Sequence, residues 1–182
     1  MGNMKVLALS GSLRKASYNT RVIQALKNIA PAHVDVTIGS IGELPLFNPD
    51  REGQSIPALE TLVDALRISD GLIIASPEYA HGISGPMKNA LDWLVSGVEF
   101  PYKPIMLINT SPRAFHAQRA LKEVLTTMSG NIIEKACRSV PLLSSGLNLE
   151  GIVNNQEMSG VLRAGLDAFC TAIEALKGNK CD

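Results

Sequence analysis

Leu7-Ala8-Leu9-Ser10-Gly11-Ser12-Leu13-Arg14-Lys15-Ala16-Ser17-Tyr18-Asn19-Thr20 is the stretch on which the reading of this chain turns. The apolar run Val6 to Leu9 reads as a buried strand, it breaks at a Gly-bearing turn, and a helical pattern follows at once. A strand, a tight turn and a helix start form an anion site, because unpaired N–H groups point out of the helix end and the helix dipole favours negative charge. Ser10, Ser12, Ser17, Asn19 and Thr20 add hydrogen-bond donors, and Arg14 adds a planar, permanently charged fork. Leu13 sits between them in the turn. Ser and Asn before a helix also serve as plain caps, but a cap uses one residue and this turn supplies many. No Gly-Lys-Ser/Thr follows, so it is not a triphosphate loop; Gly11 stands alone, so it is not the Gly-x-Gly-x-x-Gly dinucleotide turn. A terminal monophosphate fits it best.

Working outward, Val22, Ile23, Leu26 and Ile29 recur at helical spacing and predict a helix over 19–29 that stops at Pro31. Val34 to Ile38 alternates as a second strand, and 39–54 reads as a long loop. Ser55 is the expected cap of a second helix with Pro57 in its first turn. Gly71 to Ser76 and Pro104 to Asn109 are apolar runs of strand length, as in sheets covered on both faces. Pro86 opens a third helix. Ala117 to Met128 carries a fourth, expected to close at Gly130, and a last helix runs from Met158 to Gly178. A fifth strand is expected at Val140 to Leu143, and 144–157 reads as loop.

Strand and helix thus alternate five times, which predicts an α/β fold: a doubly wound, flavodoxin-like, five-stranded parallel sheet of order 2-1-3-4-5, with helices on both faces. Residues 1–182 read as one such domain. In these sheets ligands bind beyond the strand C-termini, at the switch between strands one and three. That edge gathers the first turn, the loop Ser76-Pro77-Glu78-Tyr79-Ala80-His81-Gly82-Ile83-Ser84-Gly85-Pro86 and the loop Asn109-Thr110-Ser111-Pro112-Arg113-Ala114-Phe115-His116. A flat heterocycle needs a wall, which Pro77 and Tyr79 can supply, and backbone groups at its edge, which Glu78 to Gly82 can supply, with Ser111 on the far side. His81 is equally a loop spectator, and Glu78 equally an ion-pair partner across a subunit contact.

Composition narrows the function further. Lys plus Arg and Asp plus Glu are both 17, so no basic field argues for nucleic acid and no acidic field for a carrier that docks on basic partners. Cys137, Cys170 and Cys181 show no Cys-x-x-Cys spacing, which points to reduced thiols in a cytoplasm, with Cys170 as core filler and Cys181 exposed. No metal-ligand set, leader or membrane-length apolar run is visible, and Met1 to Asn3 reads as a short tail.

The residues also carry a resemblance. Leu9-Ser10-Gly11-Ser12-Leu13-Arg14 with Ser17 and Asn19, and Pro77-Glu78-Tyr79 with Gly85 and Lys88-Asn89-Ala90-Leu91-Asp92-Trp93, resemble the two signatures of the NADPH-dependent FMN reductase family, whose relatives reduce chromate, quinones and azo compounds. The resemblance implies bound FMN, reduction by NADPH or NADH, a small-molecule acceptor, and a homodimer or homotetramer; the balanced charge and the lack of a membrane-length run lead to the expectation of no nucleic-acid or membrane partner. The resemblance implies that Ser10, Ser12, Leu13, Arg14, Ser17, Asn19 and Thr20 bind the FMN phosphate end, and that Pro77, Glu78, Tyr79, Ala80, His81 and Ser111 surround its ring. The expected mechanism is ping-pong hydride transfer with no catalytic side chain, the flavin carrying the chemistry. Ala80 stands where many relatives have Asn, and Ser111-Pro112-Arg113-Ala114 where they have a glycine-rich loop. Arg14 and Arg113 are candidates to draw in a nucleotide phosphate or an anionic acceptor. An electron carrier of the same fold, with no NAD(P)H turnover of its own, is the alternative.

Overall fold

The computed structural model describes residues 3–178. The strands are β1 (Met4–Ser10), β2 (Val34–Gly39), β3 (Gly71–Ala75), β4 (Glu78–Tyr79), β5 (Gly82–Ile83), β6 (Pro104–Asn109), β7 (Asn131–Ile132) and β8 (Arg138–Ser139). The helices are α1 (Tyr18–Ile29), α2 (Pro57–Ile68), α3 (Gly85–Leu94), α4 (Phe115–Thr127), α5 (Leu149–Asn154) and α6 (Gln156–Gly178). The sheet order is β2-β1-β3-β6-β7, with β8 also on β6, and every pair in it is parallel. This is the expected doubly wound order, with the fifth strand divided in two.

Side chains alternate along the strands into two cores. Val6, Ala8, Ile73, Met106 and Ile108 pack with α1 and α6; Leu7, Leu9, Leu72, Ile74, Ile105 and Leu107 pack with α2, α3 and α4. Burial on both faces is why these segments read as unbroken apolar runs. Truncating a side chain such as Ile73 there costs roughly 2–5 kcal/mol. Gly71 starts β3 because a Cβ would come within 2.7 Å of the Phe169 ring.

Several local expectations are corrected. Val140 to Leu143 is not the fifth strand: β7 and β8 flank the gap Ile133 to Cys137, and Leu107 N–H, left without a ladder partner there, donates to Cys137 Sγ at 3.4 Å. The backbone pairing nevertheless continues past β8, with Val140 N–H on Asn109 O and Leu142 N–H on Thr110 O. The loop read over 144–157 holds α5, capped by Asn148. Ser55 does not cap α2; Ile56 occupies that position and Ser55 Oγ donates to Glu60. Gly130 follows α4, but the left-handed residue is Ser129 at φ 61°, and the bonds Ser129 N–H to Thr126 O and Gly130 N–H to Leu125 O close a Schellman motif around it. Gly130 is needed for closeness instead, since a Cβ would lie 2.6 Å from Ile105 Cδ1. Met1, Gly2 and Cys181 lie outside the described residues, so the tail and exposed-thiol expectations rest on sequence alone.

Candidate functional site

The C-terminal edge of β1, β3 and β6 carries the candidate site. Ser10 ends β1 and its hydroxyl pairs with Thr20 in the first turn of α1 at 2.9 Å. Ser17 caps α1, accepting from Asn19 N–H at 3.1 Å. The capping reading is therefore true of Ser17 without accounting for the rest of the turn. Ser12 and Ser17 are buried, Leu13 is exposed, and Arg14 is exposed with no side-chain bond or ion pair among the described residues. The N–H groups of Tyr18 and Thr20, in the first turn of α1, also find no acceptor among those residues. An unspent guanidinium beside unspent N–H donors at a helix start has the donor chemistry of a phosphate site, so the residues present fit a flavin mononucleotide tail.

The turn is locked to its neighbours. Gly11 N–H donates to Ala75 O at 2.8 Å, and Ser84 Oγ donates to Gly11 O at 2.6 Å. A Cβ on Gly11 would sit 2.9 Å from Ser84 Oγ and closer still to Ser76 Oγ, so only glycine permits this approach. Thr110 Oγ1 donates to Asn19 Oδ1 at 3.0 Å, tying the third loop to α1.

The second loop is a hairpin that the sequence reading missed. β4 and β5 pair antiparallel, and the connecting Ala80 and His81 have φ of 48° and 60°. Two positive φ values in a two-residue hairpin belong to the primed turns that favour Asn-Gly, so the sequence here gives no turn signal. Glu78 reaches from the hairpin to α4. Ala114, at the N-cap of α4, has no capping side chain, and Glu78 Oε2 accepts from Ala117 N–H at 2.8 Å instead. The His81 ring stacks on His116 of α4, with centroids 4.3 Å apart and an interplanar angle of 21°.

Ser12, Arg14, Ser17, Asn19, Pro77, Glu78, Tyr79 and Ser111 line one cavity of about 330 Å³ between the three loops. Ser10, Leu13, Thr20, Ala80 and His81 do not line it. Tyr18, Ser76, Thr110 and Leu143 line it without having been singled out as ligands; Leu143 arrives through the backbone pairing beyond β8, which no local pattern announces. Arg113 lines it as well.

Among the described residues no group of His, Cys, Asp and Glu could hold a metal, and no helix is long and apolar enough to cross a membrane. Burial pushes the Cys170 thiol up to about 11, aided by Asp167 and Glu174, and burial also raises Cys137. Neither shift favours a reactive thiolate.

Comparison with known proteins agrees with this geometry. The chain is 28% identical over 182 residues to an NAD(P)H-dependent FMN reductase of Pseudomonas aeruginosa, covering 97% of this chain and 98% of the relative. It is 34% identical over 140 residues to a quinone reductase of Escherichia coli (strain K12), covering 72% and 74%. The solved structure of FerB, a flavoenzyme NAD(P)H:(acceptor) oxidoreductase from Paracoccus denitrificans, superposes with a TM-score of 0.79 at 28% identity, covering 94% of this chain and 98% of that one. The family model for NADPH-dependent FMN reductase matches residues 4–141, so the chain belongs to that family and is an FMN-dependent NAD(P)H oxidoreductase.

Proposed function

We propose that the cavity between the three loops is the FMN site, and that the protein passes electrons in a ping-pong cycle from NAD(P)H to a small acceptor of the quinone class. The observation that carries this reading is Arg14, unpaired on a turn of hydroxyl and N–H donors at the switch point of the sheet. In this reading Ser10, Ser12, Leu13, Arg14, Ser17, Asn19 and Thr20 form the phosphate end. Pro77, Glu78, Tyr79, Ala80 and His81 frame the ring, with Ser111 opposite. FMN, when bound, supplies the two-electron chemistry. The chain's own residues bind and orient: the Ser84–Gly11 bond sets the spacing of two loops, and the Glu78–Ala117 bond fixes the hairpin against the third.

The quinone class is supported by the names of the Escherichia coli and Pseudomonas putida relatives. A homodimer or homotetramer is supported by apolar side chains left on the surface, Leu46 at 84% and Val98 at 87% exposure, and sedimentation velocity tests it. A cytoplasmic setting is supported by free Cys137 and Cys170.

Purified protein loaded with FMN and titrated anaerobically with NADPH tests the function. Bleaching of the flavin band, and parallel double-reciprocal lines with a quinone, are expected. An unbleached spectrum would refute NADPH as donor, and intersecting lines would refute the ping-pong order.

A further inference from the structure

The third loop holds a cation that the fold leaves unspent. Arg113 is exposed on the cavity wall, and it bonds through its backbone, N–H to Ser111 Oγ at 3.3 Å. No described acid pairs with its guanidinium, and Glu78, the carboxylate of the cavity lining, is already bonded to Ala117 N–H. Arg14 occupies the opposite wall on the hydroxyl turn. FMN has one phosphate, and the proposed phosphate end is the Arg14 turn, which leaves Arg113 open to a second anion.

The neighbouring side chains say what kind of molecule bears that anion. Phe115 is 63% exposed, its ring centroid is 4.0 Å from that of His116, and His116 stacks on His81. An exposed ring two residues along the chain from a free guanidinium suits a flat heterocycle carrying a phosphate: the ring face takes the heterocycle, and the fork takes two oxygens at once. The reducing dinucleotide has such an end, an adenine with a phosphate on its ribose. Resting on the reading of the cavity as the FMN site, we propose that Arg113 and the exposed Phe115 ring receive the 2′-phosphoadenosine end of NADPH, and that Arg113 sets the preference for NADPH over NADH. An anionic aromatic acceptor presents the same chemistry, and the arms of the test separate the two.

The test uses FMN-loaded wild-type, Arg113→Ala and Phe115→Ala protein, with kcat/KM measured for NADPH, NADH, a neutral quinone and a sulfonated quinone. Binding of adenosine 2′,5′-bisphosphate and of AMP is measured separately by calorimetry. For Arg113→Ala, kcat/KM for NADPH and affinity for the bisphosphate fall about tenfold or more, the loss of one charge-assisted contact. NADH, AMP and both quinones change by less than about twofold on the same principle, having no 2′-phosphate to lose. Phe115→Ala lowers NADPH and NADH alike. Equal losses for NADPH and NADH in Arg113→Ala, a loss confined to the sulfonated quinone, or a loss of bound FMN in that variant would each overturn the proposal. Wild-type protein that binds no FMN would instead overturn the reading of the cavity on which it rests.

Discussion

The two edges of the sheet each hold a cavity, and they differ in an instructive way. The one at the N-terminal edge, among Arg67, Asp70, Tyr102, Lys103 and Lys177, is the larger at about 790 Å³ against about 330 Å³. Yet its cations are spent. Arg67 pairs with Glu99 at 3.0 Å and also with Asp64, Lys177 pairs with Asp70 at 2.6 Å, and Lys103 donates to the carbonyls of Leu66 and Ser69. At the C-terminal edge Arg14 and Arg113 have no such partners among the described residues. The proposed site is thus the smaller cavity, chosen for unsatisfied charge beside unpaired N–H groups rather than for size.

The largest expected effect breaks the comparison directly. Arg14→Ala weakens FMN binding by ~1.5–3 kcal/mol, about ten- to a hundred-fold in Kd, as read by fluorescence quenching. Arg67→Ala, at the other edge, leaves FMN affinity unchanged. Similar losses from both substitutions would show that the edges are not distinct.

The next effect concerns how the hairpin is held. Glu78→Ala removes the cap of α4 and lowers stability by about 0.5–2 kcal/mol in a urea melt, while Glu78→Gln keeps an acceptor oxygen and loses less. Equal losses would mean that the carboxylate acts other than by capping Ala117.

Smaller and opposite in sign are the changes at strained residues. Ser129→Gly and Ala80→Gly each relieve a left-handed residue and stabilise by about 1 kcal/mol, seen as a higher urea midpoint. Ala80 lies on the site edge and Ser129 does not, so only Ala80→Gly is expected to alter FMN affinity.

The smallest effect is a pH dependence at the N-terminal edge. Burial pushes the Asp70 carboxyl up, but bonds from Lys177 and the Lys5 N–H outweigh it and hold it below the usual carboxylate value. A depressed folded pKa stabilises above the unfolded value, and that contribution is lost as pH falls through the folded one. Asp70→Asn therefore flattens the fall in urea midpoint below about pH 4. Identical acid profiles would contradict this.

How much of this was legible in the sequence follows from which interactions are local. Val6 to Leu9, Gly71 to Ala75 and Ile105 to Ile108 announced themselves because strands covered on both faces need continuous apolar runs. The split fifth strand did not, because β7 and β8 are held by pairing to a distant β6 and by Cys137 Sγ rather than by a pattern of their own. The hairpin stayed hidden because Ala80-His81 carries none of the residues that favour its turn. The hydroxyl turn and its arginine read as a candidate phosphate site from types and spacing alone, and the structure brings Ser12, Arg14 and Ser17 to one cavity. Glu78 was noted there as a ring neighbour or ion-pair partner; its bond to Ala117 N–H, across 39 positions of sequence, is a tertiary fact.

Crystals of the protein grown with FMN would test the central claim most directly. The account predicts density with the phosphate against Ser12, Arg14 and Ser17 and the ring beside Pro77 and Tyr79. Density in the Arg67–Lys177 cavity, with the hydroxyl turn bare, would contradict it.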